Sequence, residues 1–151
     1  MPKKIIFICT GNTCRSTMAE ALFRKILNDI DRLKDIEVAS YGIAAIEGQP
    51  ASQNAIKAMA EEGIDISGHK ARRLTEEVMK ADLVLTMTQN HKDYIIHRFP
   101  KLKGKVFLLG EFVGDNVEIP DPFGQDINIY KIVAKEIKDK LKRVVKRLGK
   151  T

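Results

Sequence analysis

Residues 5–16 read Ile-Ile-Phe-Ile-Cys-Thr-Gly-Asn-Thr-Cys-Arg-Ser, and this stretch decides the fold. The apolar run Ile5–Cys9 is typical of a central parallel strand that is buried on both faces. Behind it, the apolar side chains of Thr17–Leu27 recur at helical spacing. The sequence therefore predicts a strand, a loop over residues 9–16 and a helix that follows the loop directly.

Farther along the chain, short β-branched runs alternate with longer amphipathic segments. The predicted strands are Glu37–Tyr41, Leu83–Met87 and Lys105–Leu109, and the predicted helices are Ser52–Glu62, Thr75–Lys80, His91–Phe99 and a long helix after Pro122. In the last helix, one apolar side is predicted to carry Ile132, Val133, Ile137, Leu141, Val144, Val145 and Leu148. Strands that alternate with helices predict an α/β fold of three layers, a parallel, doubly wound sheet flanked by helices.

The 151 residues predict a single domain over residues 1–151, because one domain usually takes about 100–200 residues. Hydrophobic residues make up 44% and charged residues 30%, which is typical of a globular protein rather than a disordered one. No apolar run approaches the roughly 20 residues that span a bilayer, and no apolar signal segment precedes the first strand. We therefore expect a cytoplasmic protein with no membrane partner.

The net charge of +6 favours anionic partners, which include phosphorylated substrates as well as nucleic acids. Many lysines lie in the last helix, at Lys138, Lys140, Lys142, Lys146 and Lys150. No aromatic residues are interleaved with them, as stacking on single-stranded bases would require. We interpret these lysines as the solvated face of an amphipathic helix and expect no nucleic-acid partner.

The two cysteines, Cys9 and Cys14, are too few for the disulfide framework of a small secreted domain. Each is expected to be a free thiol with a role in packing or in chemistry. The three histidines, His69, His91 and His97, lack the helical spacing of metal ligands, and there is no Cys-x-x-Cys pair. The sequence predicts neither a metal site nor a cofactor.

The loop over residues 9–16 lacks the second glycine of a dinucleotide-binding turn and the Gly-Lys-Ser/Thr of a nucleotide-binding loop. It contains a cysteine, five residues, an arginine and a hydroxyl residue. Because it joins the end of a central strand to the start of a helix, its backbone N–H groups and the helix dipole favour an anion at one point. This edge of an open α/β sheet is also where ligands bind.

Each residue type in the loop suits a site for a phosphoryl group. The Cys9 thiol, among N–H donors and beside Arg15, is expected to ionise readily and to act as a nucleophile. The planar guanidinium of Arg15 can bind two phosphoryl oxygens at once, and Ser16 can donate a hydrogen bond to the thiolate. Gly11 permits close approach of the backbone, and Asn12 tolerates the left-handed conformation that such a loop needs. The alternative is that Cys9 only packs in the core and that Arg15 lies on the surface.

Phosphoryl transfer to a thiolate also needs an acid for the leaving group and later a base for water. The candidate is Asp121, which lies between Pro120 and Pro122. The prolines stiffen the loop and remove competing backbone donors, so the carboxyl group can be held over the anion site. Taken alone, Pro-Asp-Pro is also a common turn.

The segment Cys9–Ser16, followed by Met-Ala-Glu-Ala at residues 18–21, resembles the phosphate-binding loop of the low-molecular-weight protein tyrosine phosphatase family. Asp121 and the two residues after it are similar to that family's late general-acid motif, and segments at residues 40–42, 68–72 and 81–87 also match. The resemblance implies a four-stranded parallel sheet with the phosphate loop at its switch point, a cysteinyl-phosphate intermediate and no metal. It implies that Cys9, Arg15 and Asp121 are catalytic.

The same resemblance assigns the binding of the phosphoryl group to the remaining loop residues, which are Thr10, Gly11, Asn12, Thr13, Cys14 and Ser16. It implies that Ser40 and His69 hold the Asn12 side chain and keep the loop open. The chain departs from the family's usual pattern at Tyr41, where alanine is usual, and at Thr17, where proline is common. We expect neither departure to affect the chemistry.

Two positions bear on the substrate within the family. Tyrosine phosphatases usually carry an apolar residue in place of Thr13 and a tyrosine in place of Phe123, so this chain resembles the bacterial protein arginine phosphatase branch. The Thr13 hydroxyl and the Asp121 carboxylate can accept N–H groups of phosphoarginine, and Phe123 can pack on its guanidinium or on the chain leading to it. We therefore predict a phosphatase that acts on phosphoarginine in phosphorylated proteins and binds inorganic phosphate or vanadate in its site.

Three alternatives stay open. A phosphotyrosine phosphatase would use the same machinery. Thioredoxin-coupled arsenate reductases share the fold and loop but need further downstream cysteines, and a non-catalytic phosphoprotein-binding module would not need an intact Cys9 and Asp121. Redox sensitivity is also expected, because Cys14 can capture an oxidised Cys9 as a reversible disulfide; the alternative is that Cys14 is a small packed residue.

Overall fold

The structure is a computed structural model that describes residues 1–149. Within this range, the strands are β1 (Lys4–Cys9), β2 (Glu37–Gly42), β3 (Leu83–Thr86) and β4 (Val106–Leu108). The α-helices are α1 (Arg15–Asn28), α2 (Gln53–Glu61), α3 (Gln89–Arg98), α4 (Leu109–Val113) and α5 (Ile127–Leu148), and short 3₁₀ helices span Glu76–Lys80 and Pro100–Leu102. None of the helices described is both long and apolar enough to cross a membrane.

All four strands run parallel, in the order β2-β1-β3-β4. The chain passes from β1 to β2 and then crosses to β3 on the other side of β1, so the winding direction reverses there. Ligands of open α/β folds bind at such a switch point, outside the carboxyl ends of the strands. The loop after β1 lies at this point, and the predicted α/β fold with its four-stranded parallel sheet is confirmed.

The central strand β1 is buried on both faces, which accounts for its continuous apolar sequence. Because side chains alternate along a strand, Ile5, Phe7 and Cys9 join one core cluster, whereas Ile6 and Ile8 join another. The first cluster also contains residues of α1, α2 and α5, and the second contains residues of α3. Cys9 therefore lies on the face of the sheet that α1 and α5 cover.

The structure differs from the prediction at the end of β4 and at one residue of α5. The strand predicted over Lys105–Leu109 ends at Leu108, where the Glu111 side chain accepts a hydrogen bond from the Leu108 N–H at 3.1 Å and caps α4. Ile132, predicted on the apolar side of the last helix, is 58% exposed. It precedes the buried Val133 by one residue and so points about 100° away from it around the helix.

The lysine-rich face of α5 is only partly solvated. Lys142 and Lys146 are exposed, as predicted, and Lys150 lies outside the described residues. Lys138 pairs with Glu62 at 2.9 Å. Lys140 is 5% exposed and pairs with Asp115 at 2.6 Å, so the prediction that it lies on the solvated face is wrong. A buried ammonium group needs such a partner.

Candidate active site

The loop between β1 and α1 turns its carbonyl groups outward. The hydrogen bonds run from Ile43 N–H to the Cys9 carbonyl, from Ala44 N–H to Thr10, from Ser52 N–H to Thr13 and from Met18 N–H to Cys14, all at 2.9–3.0 Å. In a trans peptide the N–H points away from the preceding C=O, so the N–H groups of Thr10, Gly11, Cys14 and Arg15 face the inside of the loop. Successive inward N–H groups form a concave surface that suits an anion.

Asn12 determines the shape of this loop. Its φ of 54° lies in the left-handed region, which the sequence predicts for this residue. Its side-chain nitrogen donates to Ser40 Oγ at 2.8 Å and to Ser16 Oγ at 2.9 Å, and its side-chain oxygen accepts from the Arg72 N–H at 2.9 Å. Because the side chain is fully buried, these bonds satisfy it and fix the turn.

His69 supports the same turn, but not through the contact that the resemblance implies. Its Nε2 lies 2.8 Å from the Asn12 backbone carbonyl, which can only accept, so Nε2 donates. The Asn12 side chain is already bonded by Ser40 and two other groups. The prediction that His69 holds that side chain is therefore wrong, whereas the predicted contact of Ser40 is present. His69 Nε2 also lies 3.3 Å from Thr17 Oγ1, so Thr17 is connected to the loop.

The end of β2 approaches the loop closely at Gly42. A Cβ atom there would lie 2.6 Å from the Thr10 carbonyl oxygen and 2.9 Å from the Asn12 nitrogen, so only glycine fits. Gly11 is different, because a Cβ at that position would have Thr13 Oγ1 as its nearest neighbour, at 3.6 Å. Packing within the protein does not require glycine at position 11, and its role in approach to a ligand stays a prediction.

The Cys9 sulfur lies at the base of the loop, 2.8 Å from Ser16 Oγ. Cys9 is 2% exposed, so the sulfur is shielded from bulk water. The Ser16 oxygen accepts a hydrogen bond from the Asn12 side chain, which leaves its own hydrogen available. Because a thiolate only accepts hydrogen bonds, Ser16 is placed to donate to Cys9 once the thiol has lost its proton.

Arg15 joins the loop to the segment that carries Asp121. Its Nη1 donates to the Ile119 carbonyl at 3.0 Å, and its Nη2 lies 3.7 Å from Asp121 Oδ2. The other carboxylate oxygen of Asp121 accepts the Phe123 N–H at 3.0 Å, which fixes the turn. The Arg15 side chain is 6% exposed and that of Asp121 54%. The structure thus brings the two predicted residues together. The arginine is buried, and the carboxylate lies where the loop opens to solvent, which we call the mouth of the site.

Loop residues and the residue predicted to pack on the substrate differ in exposure. Thr13 is half-buried in the loop, and Thr10 is exposed. Phe123, two residues after Asp121, is 69% exposed. Its ring is available to pack on a bound substrate.

Cys14 directs its side chain to α5. Its sulfur lies 3.3 Å from the Tyr130 hydroxyl and 3.4 Å from Ser52 Oγ, and these two oxygens are 3.2 Å apart. Burial and the contact with Cys14 raise the pKa of Tyr130 to about 12, so its hydroxyl keeps its proton. Both cysteines are free thiols. Of the Cys14 groups, the backbone N–H is the one that faces the inside of the loop.

His91, at the start of α3, is a buried residue of this site that the sequence analysis assigned no role. It is 4% exposed, and its Nε2 lies 2.9 Å from Thr10 Oγ1. Burial and the charge of Arg15 lower its pKa to about 4, against the opposing effects of Asp121 and Glu118. Thr10 is 81 positions away in sequence, so no local pattern could have revealed the contact.

A thiolate inside a ring of N–H donors can attack phosphorus, the adjacent guanidinium can stabilise the charge that develops, and the carboxyl group at the mouth can exchange protons. This combination of fold and site defines a cysteine-dependent phosphatase. A family model described as low molecular weight phosphotyrosine protein phosphatase matches residues 4–151, and the chain belongs to that family.

Individual relatives agree with this membership. The chain is 44% identical over 148 residues to the Protein-arginine-phosphatase of Bacillus subtilis, covering 97% of each chain. It is 40% identical over 149 residues to the protein of the same name from Geobacillus stearothermophilus, covering 98% of this chain and 97% of that protein. Among solved structures, a YwlE arginine phosphatase mutant with a phosphorylated active-site serine superposes with a TM-score of 0.90 at 43% identity, covering 97% of this chain and 96% of that one.

Proposed function

We propose that this protein is a protein arginine phosphatase, which removes the phosphoryl group of phosphoarginine in proteins through a cysteinyl-phosphate intermediate. The observation that carries the proposal is the convergence of Cys9, Arg15 and Asp121 on one loop lined by N–H groups, with Arg15 Nη2 3.7 Å from Asp121 Oδ2. Relatives named Protein-arginine-phosphatase, 40% and 44% identical, support the substrate. We also propose that residues 1–151 form a single domain.

In the first step, the Cys9 thiolate attacks phosphorus. The S–P bond forms while the P–N bond to the guanidino group breaks, and protonated Asp121 gives its proton to the leaving nitrogen. The loop N–H groups and the Arg15 guanidinium bind the three phosphoryl oxygens as their charge increases. The product is arginine in the protein chain and a phosphate ester of Cys9 sulfur.

In the second step, water attacks the same phosphorus atom. Asp121, now a carboxylate, takes a proton from that water, the S–P bond breaks and phosphate leaves. Cys9 regains its thiolate, to which Ser16 can donate across the 2.8 Å contact between Sγ and Oγ. Asp121 is 54% exposed, so water reaches it without a rearrangement of the loop.

Substrate choice rests on acceptors at the mouth of the loop. Phosphoarginine carries N–H groups next to the phosphoryl group, and leaving such a donor unpaired costs about 1–3 kcal/mol. The Thr13 hydroxyl and an oxygen of the protonated Asp121 carboxyl group can accept these N–H groups. The exposed ring of Phe123 can pack on the planar guanidinium or on the aliphatic chain behind it.

The direct test measures phosphate release from a phosphoarginine-containing protein and from a phosphotyrosine peptide side by side. We expect the larger kcat/KM for phosphoarginine. A preference for phosphotyrosine would establish the alternative that the family description favours, a tyrosine phosphatase with the same machinery. If the protein hydrolysed neither substrate, the remaining alternative would be a phosphoprotein-binding module without catalytic activity. A thioredoxin-coupled reductase is the least supported reading, because no cysteine follows Cys14 in the chain.

The replacement Thr13→Ile tests the basis of this preference. It exchanges a hydroxyl acceptor for a branched apolar surface, so we expect kcat/KM to fall for phosphoarginine and to rise for phosphotyrosine. The ratio of the two values is expected to fall by about one power of ten or more. Thr13→Ser, which keeps the hydroxyl, is the matched control and should retain most of the ratio. Equal changes for both substrates in Thr13→Ile would contradict the proposed role of Thr13.

A further inference from the structure

The contact between His91 and Thr10 has no part in the mechanism above. The His91 ring is 4% exposed, and its Nε2 lies 2.9 Å from Thr10 Oγ1. The backbone N–H of His91 donates to the side chain of Thr88, which caps α3 and fixes the backbone at this position. Thr10 itself directly follows the nucleophile and is exposed. A buried imidazole therefore holds the hydroxyl of an exposed residue at the mouth of the phosphate loop.

Burial of the ring, and then the positive charge of Arg15, favour its neutral form. Arg15 is positive and Asp121 and Glu118 are negative, and the balance of burial and these charges leaves the pKa of His91 at about 4. At neutral pH one ring nitrogen therefore carries a proton and the other a lone pair. The ring Nδ1 is buried and makes no hydrogen bond within the described residues, so Nε2 is the ring nitrogen that contacts the loop, through Thr10.

The two tautomers of His91 have opposite effects on Thr10. If Nε2 carries the proton, it donates to Thr10 Oγ1, and the hydroxyl hydrogen is free to point at the substrate. If Nε2 carries the lone pair, it accepts the hydroxyl hydrogen, and Thr10 presents only lone pairs. In both cases Nδ1 is buried without a hydrogen bond within the described residues, as a lone pair in the first tautomer and as an N–H group in the second.

The substrate of the proposed function favours the second arrangement. The inward N–H groups and Arg15 supply donors for the phosphoryl oxygens. A phosphoguanidino head adds further N–H donors, for which Asp121 and Thr13 are the acceptors named so far. An additional acceptor at the mouth therefore complements this substrate, whereas an additional donor would not.

We propose that His91 is a positioning residue that accepts the Thr10 hydroxyl hydrogen through Nε2, so that Thr10 Oγ1 accepts an N–H group of the phosphoguanidino head. This specificity role deepens the proposed function and rests on it. Thr10 Oγ1 is the atom that touches the substrate, and His91 acts through it. An aryl phosphate, which has no N–H groups, gains nothing from this acceptor.

The test compares kcat/KM for a phosphoarginine peptide with kcat/KM for para-nitrophenyl phosphate and uses their ratio. Thr10→Val removes the hydroxyl at nearly constant shape and is expected to lower the ratio about tenfold. Thr10→Ser restores a hydroxyl and is expected to recover most of it. His91→Leu removes the acceptor and is expected to lower the ratio by a similar factor, while His91→Gln, whose side-chain oxygen can replace Nε2, recovers part of it.

A double variant, Thr10→Val with His91→Leu, distinguishes an indirect role from an independent one. If His91 acts through Thr10, the double variant has the ratio of Thr10→Val alone. If the effects of the two replacements on the ratio add, or if His91→Leu lowers kcat/KM equally for both substrates, His91 is only structural and the proposal is overturned. Nitrogen NMR of the imidazole gives a readout that does not depend on activity, since a protonated Nε2 in the parent protein would contradict the assigned tautomer.

The outcomes separate this proposal from the proposed function. A parent protein that prefers phosphotyrosine overturns both. A parent protein that prefers phosphoarginine, with an unchanged ratio in Thr10→Val, overturns only the role of Thr10 and His91. Should His91→Leu fail to fold, the Thr10 pair and the NMR measurement still decide the question.

Discussion

At the scale of single residues, Cys9 and the donors around it have separable tasks. Replacing Cys9 by serine leaves the loop N–H groups and Arg15 in place but substitutes a hydroxyl that stays largely un-ionised at neutral pH. We expect Cys9→Ser to lose turnover and to keep its affinity for inorganic phosphate or vanadate, measured by calorimetric titration. Arg15→Lys serves as the control, because it loses the planar fork and should bind the anions more weakly. Appreciable turnover by Cys9→Ser would contradict the covalent mechanism.

Asp121 is expected to contribute proton transfer rather than architecture. Asn keeps an oxygen that can accept the Phe123 N–H, a bond of 3.0 Å in the structure, so Asp121→Asn preserves the turn. We expect a loss of roughly 10²–10⁴-fold in kcat on phosphoarginine. With an aryl phosphate whose phenol is strongly acidic, the leaving group needs no proton and the loss should be much smaller. Equal losses on the two substrates would identify Asp121 as a turn residue.

The limits of prediction at this scale depend on where a residue finds its partners. Asn12 and Asp121 could be predicted, because the left-handed turn and the proline-flanked carboxylate are properties of the adjacent sequence. His91 could not, because its partner Thr10 is 81 positions away, and neither could Tyr130, which meets Cys14 across 116 positions. For His69 the resemblance indicated the right neighbour, Asn12, but the wrong group. His69 contacts the backbone carbonyl, which every residue type has, so a sequence motif cannot identify it.

At the scale of elements, the apolar run of β1 and the helical spacing in α1 and α5 could be read from the sequence because each element buries a whole side. The residue at which β4 ends could not be predicted from the sequence. Its apolar run continues through Leu109, and one side-chain hydrogen bond, from the Leu108 N–H to Glu111, converts the next residues into α4. Periodicity does not detect a capping contact of this kind.

The packing of α5 against the loop leads to a prediction about oxidation. A peroxide converts Cys9 to a sulfenic acid, and the Cys14 thiol can then attack that sulfur, form a disulfide and release water. To do so, Cys14 must leave the Tyr130 hydroxyl, 3.3 Å from its sulfur. We expect Tyr130→Phe to form the disulfide faster than the parent protein. Mass spectrometry of peroxide-treated samples measures this rate.

Recovery of activity provides the second arm of that experiment. After peroxide and then a thiol reductant, the parent protein is expected to recover a larger fraction of its own untreated activity than Cys14→Ser. The reason is that an uncaptured sulfenic acid is oxidised further to irreversible products. Equal recovery in both proteins would assign Cys14 to packing alone.

At the scale of the whole molecule, His91 is expected to make the fold sensitive to acid. Its pKa is about 4 in the folded protein and 6.5 in a model peptide, so the unfolded chain binds more protons between these values. The free energy of unfolding therefore decreases as pH falls from about 6.5 to about 4, by less than about 1.4 kcal/mol for each pH unit, because the two states differ by at most one proton at His91. Urea unfolding between pH 7 and pH 4 measures this slope, and His91→Gln should flatten it.

The carboxyl group of Asp115 also has a shifted pKa, but it titrates below the pH range in which His91 does. Burial raises the pKa of Asp115, but hydrogen bonds from Lys140, the Val117 N–H and Arg143 outweigh it and lower the value to about 2. Asp115 thus stabilises the fold above its unfolded pKa of 3.8 and loses that contribution only as pH falls towards 2. Parallel slopes for the parent protein and His91→Gln between pH 6.5 and pH 4 would therefore show that His91 is not the source of the acid sensitivity.

The placement of β1 beneath α5 also determines when the protein becomes active during synthesis. The strand that carries Cys9 leaves the ribosome early, whereas the turn with Asp121 and the helix that covers the same face of the sheet follow much later. Pairings between distant parts of a chain form slowly, because loop closure must precede them. A growing chain therefore exposes both thiols of the loop before it can hydrolyse anything. Catalytic competence therefore requires the segment with Asp121, which follows β4 in the chain and is synthesised after the whole sheet.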